Sequence, residues 1–227
     1  MRKALLAVAL LLGGPVLWAS AAQASPCTSA SYDTYLASGF SCTVGNQTYS
    51  NFSFNGPSNS IAALITVGPS PNAPAGSFGL LFNTAKAISP TTGRGTDITL
   101  DFTVSTSGAL INDASVALTG TATGDGNVRL SECLGGEPPD CPLGTLAVQI
   151  PATAGAGLTD STTFPARSSV FVTKDTIAFG GSSPGSSVTL DTIDELFSES
   201  TTTVPEPASL TQFGMALLGL GLLRRRR

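Results

Sequence analysis

Histidine is absent from all 227 residues. Without it there is no Ser-His-Asp or Cys-His nucleophile, no histidine metal site and no ordinary general base near neutral pH. Charge is sparse as well, at 11% of residues, and lysine occurs only at Lys3, Lys86 and Lys174. A Ser-Lys nucleophile needs a desolvated lysine. Lys174, followed directly by Asp175, reads instead as half of a solvated pair. The one tryptophan, Trp18, lies in the N-terminal apolar segment, so the eleven phenylalanines supply most of the large core side chains. Between Ser25 and Thr203 only five basic residues stand against fourteen acidic ones. An acidic body of this kind is repelled by phosphate, which excludes nucleic acid as a partner.

Both ends of the chain carry processing signals. Arg2 and Lys3 form a positive start, Ala4 to Leu12 an apolar run, and Ala22-Gln23-Ala24 a small-residue site, so residues 1–24 read as a secretory signal peptide. Signal peptidase would cut after Ala24 and leave Ser25 as the first residue. At the other end Pro205-Glu206-Pro207 precedes a mostly apolar run, residues 208–223, and the chain closes on Arg224, Arg225, Arg226 and Arg227. As a helix that run is about 24 Å long against a hydrocarbon core of about 30 Å, a marginal transmembrane span that the arginines relieve by snorkelling. Their charge sets the C-terminus inside and the body outside. The two prolines keep the segment before the span extended and accessible to a protease.

This tail, residues 205–227, resembles the PEP-CTERM sorting signal of Gram-negative bacteria, which is read by the membrane enzyme exosortase. The resemblance implies export by the secretion machinery, a transient stop in the inner membrane, cleavage near the motif, and release to the cell surface or outside.

Cys27, Cys42, Cys133 and Cys141 form an even set in an exported chain, the pattern of two disulfides made in an oxidising compartment. Three pairings exist. Nearest neighbours are favoured, because Gly135, Gly136, Pro138 and Pro139 let the second interval turn back on itself. None of the spacings suits a four-cysteine zinc site.

Along the body the hydrophobic period is two. Ile98, Leu100, Phe102 and Val104 alternate with Thr99, Asp101 and Thr103, and Leu146, Val148 and Ile150 repeat the pattern. Further strands are expected around residues 61–67, 78–82, 116–123, 128–134, 169–173, 176–179 and 188–192. A short helix fits Tyr32, Tyr35 and Leu36. Asp125-Gly126-Asn127 reads as a hairpin turn. Many short strands separated by Gly/Pro-rich loops predict an all-β fold over residues 25–197, an antiparallel β-sandwich of Greek-key or jelly-roll-like order. Residues 198–204, rich in Ser, Glu and Thr, read as a flexible stalk.

The body has a likeness of its own. Cys42-Thr43-Val44-Gly45 and Ser50-Asn51-Phe52, with Thr173-Lys174-Asp175 and Glu195-Leu196-Phe197-Ser198 further on, resemble segments common among exported PEP-CTERM proteins. That likeness implies an all-β body and brings no activity with it.

The remaining chemistry rests on carboxylates. Glycoside hydrolysis needs two acids about 5 to 9.5 Å apart. Asp97 and Asp101 share the wet face of one strand at about 13 Å, too far to act together. Asp191, Asp194 and Glu195, or Asp125 with Asn127, offer oxygen ligands for a structural calcium ion, the only cofactor the sequence suggests. Asn46-Gln47-Thr48 and Asn51-Phe52-Ser53 fit the N-glycosylation pattern, which matters only where its transferase exists. Tyr49, Phe52 and Phe54 read as core and rim of the first strands rather than a sugar-stacking platform. The sequence as a whole describes a non-catalytic surface or extracellular-matrix protein associated with exopolysaccharide or biofilm. A carbohydrate-binding module and a carboxylate-dependent glycoside hydrolase are the alternatives.

Overall fold

The computed structural model describes residues 24–151 and 157–200. Within them lie the strands β1 (Ser25–Pro26), β2 (Ala30–Ser31), β3 (Ser41–Val44), β4 (Gln47–Asn55), β5 (Thr66–Pro69), β6 (Ser77–Asn83) and β7 (Gly95–Thr106). The second half adds β8 (Leu110–Thr123), β9 (Asn127–Leu134), β10 (Gly144–Ile150), β11 (Thr159–Arg167), β12 (Ser169–Phe179) and β13 (Ser187–Ser200). One sheet has the order β1-β3-β4-β7-β12-β9-β10 and the other β11-β8-β13-β6-β5-β2. All pairs are antiparallel except β1 with β3.

The two sheets form a sandwich because most of their long strands turn one apolar face inward. On β7, Ile98, Leu100, Phe102 and Val104 are buried while Asp97, Thr99, Asp101 and Thr103 alternate outward. Phe102 from this sheet meets Phe82 and Phe197 from the other, with ring centroids 6.0 and 6.3 Å apart. Tyr32 and Tyr35, on the short helix α1 (Tyr32–Tyr35), close one end of the core against Phe52. The disulfides pair nearest neighbours, Cys27 with Cys42 and Cys133 with Cys141, at Cα separations of 4.7 and 5.1 Å.

Two bulges set which residues face inward. In β4 the pairing register slips between Ser50 and Ser53 around Asn51, whose φ of 54° is a left-handed conformation that asparagine tolerates. Tyr49, Phe52 and Phe54 all reach the core as a result. In β13 the register slips between Leu190 and Thr192. Val188 and Leu190 face inward before the slip, and Ile193, Glu195 and Phe197 after it. Without the extra residue, strict alternation would have turned Glu195 to solvent.

Several expectations are corrected. Asp125-Gly126-Asn127 is not a hairpin turn, because β8 and β9 belong to different sheets and the segment crosses between them. The strand expected around Ile61 begins only at Thr66, and Asn59–Leu64 is a 3-10 helix. The two strands expected at 169–173 and 176–179 are one, since Lys174 continues the inward period instead of breaking it. Strand β11 had no clear signal: its residues are mostly polar and exposed, with Phe164 alone in the core. The stalk does not begin at Ser198, because Ser198, Glu199 and Ser200 pair with Asp113, Ile111 and Leu110. Residues 1–23 of the expected signal peptide, Ala22 among them, the sorting tail and its span lie outside the described residues. Among the described residues no helix is long and apolar enough to cross a membrane.

Candidate functional site

The outer face of the larger sheet carries an acidic cleft of about 930 Å³. Its floor is β4, β7 and β12, and its rims are Gly56-Pro57 on one side and Glu137-Pro138 on the other. Glu137-Pro138 belongs to the loop closed by the Cys133–Cys141 disulfide, and the Thr173 hydroxyl donates to the Gly136 carbonyl at 3.4 Å to hold it over the sheet. Asp97, Asp101, Asp175 and Glu137 line the cleft.

Strand register brings these acids together. Ile177 pairs with Asp97 and Asp175 with Thr99, so Asp97 and Asp175 are diagonal neighbours on one face. Partial burial, then the charge of Asp97 and the hydrogen bonding of its carboxyl group, raise the Asp175 carboxyl above its usual value. Asp101 Oδ2 accepts from the Ser53 hydroxyl at 2.6 Å, while its Oδ1 is enclosed with no donor. Beside the acids stand two exposed apolar side chains, Ile177 at 49% and Phe179 at 37%. Carboxyl groups next to an apolar platform suit a sugar, whose hydroxyls donate while its C–H face stacks.

A second cluster lies inside the sandwich. Lys174 on β12 is directly opposite Glu132 on β9, and both meet Glu195, which reaches across from β13 in the other sheet. All three side chains are sealed from solvent. The Lys174 ammonium donates to Oε2 of both glutamates and lies 6.0 Å from the centre of the Phe102 ring. Burial alone would lower its pKa, but the two acids overcome that and hold it above the usual lysine value. Burial, followed by the charge of Glu132, drives Glu195 well above the usual carboxyl range, with Lys174 opposing in part. Were both acids ionised, Oε1 of each would be buried without a donor. A proton on Glu195, shared with Glu132, supplies one. Lys174 with Asp175 as a solvated pair is therefore wrong, since strand alternation points them to opposite faces.

The calcium ligand sets do not assemble either. Asp194 faces outward and accepts from Asn72 Nδ2 at 3.0 Å, while Glu195 faces the core. Asp125 accepts from the Ser182 and Ser183 backbone and the Ser186 hydroxyl, and these bonds hold its carboxyl well below the usual range while they pin the 180–186 loop. Among the described residues no three His, Cys, Asp or Glu are placed to hold a metal. Asn46, in one glycosylation pattern, donates to Glu199 at 2.6 Å.

Pro205, Glu206, Pro207 and Arg224 to Arg227 lie beyond the described residues, and here comparison with known proteins decides. Residues 203–227 match the PEP-CTERM protein-sorting motif. The match takes in the Pro-Glu-Pro, the apolar run and the arginines, and it implies export, a membrane-anchored transit and processing by exosortase. The two disulfides are consistent with export. No curated protein matches the chain. Among solved structures the chain is similar to TmCBM61 in complex with beta-1,4-galactotriose, at 13% identity and a TM-score of 0.29, covering 66% of this chain and 90% of that one. It is also similar to the enzymatically active domain of Bacteriophage CBA120 tailspike protein 4, at 13% identity and a TM-score of 0.28, over 67% of this chain and 19% of that one. Arabinose-bound MgGH51 α-L-arabinofuranosidase shows 17% identity and a TM-score of 0.25, over 63% and 23%. Likenesses this distant carry no functional correspondence to this chain.

Proposed function

We propose that the chain is an exosortase substrate whose β-sandwich serves, once released, as a non-catalytic surface or extracellular-matrix protein. Its ligand in that setting is exopolysaccharide, held in the cleft between β4, β7 and β12. The sorting half of this reading rests on the motif at residues 203–227. The binding half rests on one observation, the exposed Ile177 and Phe179 beside the acids Asp97 and Asp175 in one cleft.

The experiment is cell fractionation. Changing Pro205, Glu206 and Pro207 together to alanine leaves the apolar run and the arginines intact, so full-length protein should accumulate in the inner membrane. If that variant is released with the same C-terminus as the parent, the motif is a linker and the sorting reading fails.

A further inference from the structure

Lys174, Glu132 and Glu195 have no part in the cleft, and their burial calls for a reason of its own. Removing three ionisable groups from water costs more than packing apolar side chains of the same volume in their place. Inward neighbours on the same strands include Val172, Leu130, Leu134, Ile193 and Phe197, all fully buried apolar residues, so the group is shut off from bulk solvent. The arrangement instead joins a nucleophile, an electrophile and a proton carrier in one dry pocket. We propose that Lys174 and Glu195 condense to an amide that covalently staples one sheet to the other, with Glu132 carrying the proton between them.

The proton count permits the reaction without any outside reagent. The cluster begins as an ammonium on Lys174 and a pair of glutamates holding one proton between them, which sums to zero charge. One proton passing from Lys174 to Glu132 makes all three neutral; burial favours that transfer, while the attraction of the two acids for the ammonium opposes it. The freed amine is hydrogen-bonded to a carboxyl oxygen of Glu195, so the carbon it must attack is the next atom. Attack forms the C–N bond. Glu132, in contact with the same nitrogen, takes a proton from it and returns one to the departing hydroxyl of Glu195. The C–O bond breaks, one water leaves, and Glu132 remains as an acid. The product amide has one donor and one acceptor, and the Glu132 acid offers one of each in return. Two enclosed oxygens that lacked donors are thereby reduced to a matched pair.

Strand β13 is the last described strand before the sorting tail. A bond from β12 to Glu195 would lock that strand into the body just before the segment on which a membrane enzyme acts.

Mass spectrometry of the protein released by cells expressing the full chain tests the bond. After reduction, the intact mass should be lighter by one water than the sequence between its observed ends. Trypsin should cut after Arg167 yet leave Lys174 uncut, and fragmentation of that peptide should give no separation between residues 174 and 195. Glu132→Gln removes the proton carrier, so its mass should return to the uncondensed value with both disulfides still present. A branched peptide joining residues 130–167 to Lys174 would overturn the assignment to Glu195. Unshifted mass with complete cleavage at Lys174 would overturn the bond altogether.

Discussion

Gly79 on β6 pairs with Leu196 and lies directly against the backbone carbonyl of Glu195, leaving no space between the strands for a Cβ. A methyl group there would overlap that oxygen and crowd the Leu196 side chain. The backbone of β13 at Glu195 is thus seated by an absence on its neighbour. Gly79→Ala should lower stability by about 1–3 kcal/mol, the usual penalty for forcing volume into a packed interior. Urea unfolding followed by circular dichroism measures it, and an unchanged midpoint would mean that the strands have room to part.

The Asp97–Asp175 pair gives a pH signature of opposite sign to ordinary acid denaturation. Asp175 has a raised pKa in the folded protein, so the folded state holds its proton more tightly than the unfolded chain does. Its contribution is fully present below the unfolded value and is lost as pH rises through the raised folded value. Once Asp175 has lost its proton, the charge of Asp97 opposes it. Asp175→Asn should therefore stabilise the body by about 0.2–1 kcal/mol at pH 7, the scale of like-charge cross-strand pairs. The gain should vanish in acid, where the parent is protonated. Thermal melts at both pH values decide it: a gain equally large in acid would remove the charge explanation.

How much of this was legible in the sequence depends on the range of the forces involved. Strand period, disulfide pairing and the aromatic core came from local patterns, because alternation along β7 and β10 is set by a single buried face. Lys174 was misread because its chain neighbour Asp175 offered a partner. Yet its phase with Val170, Val172, Thr176 and Ala178 already placed it inside, and Glu132 is in phase with Val128 and Leu130 in the same way. Glu195 was beyond reach of that method, since its side depends on a bulge with no local mark. Asp97 and Asp175 meet only through the pairing of β7 with β12, which no spacing in the chain reveals.

Export and oxidation make a joint prediction. The released protein should begin at Ser25 and contain no free thiol, since Cys27, Cys42, Cys133 and Cys141 are all paired. Intact mass before and after alkylation under denaturing conditions measures both at once. Replacing Cys27 and Cys42, a pair separated by 15 residues, should cost about 3 kcal/mol by loop-closure entropy. Two or more alkylated cysteines in unreduced protein would remove the disulfide framework.

The cleft makes the sharpest demand on the proposed ligand. If sugar rings lie on Ile177 and Phe179 while their hydroxyls donate to the acids, the apolar pair should carry much of the affinity. An aromatic contact is worth about 0.5–1.5 kcal/mol beyond its buried area, and 1.4 kcal/mol is tenfold in binding. Ile177→Ser with Phe179→Ser changes only outward-facing positions, so the fold should survive. Affinity electrophoresis through gels containing the producing cell's own exopolysaccharide should show the parent retarded and the double variant weakened about tenfold. Asp97→Asn should weaken retardation less, because the amide keeps one of the carboxylate's two accepting oxygens. Parent protein that migrates the same with and without the polysaccharide would end the binding reading, while the sorting of the chain would stand on its tail alone.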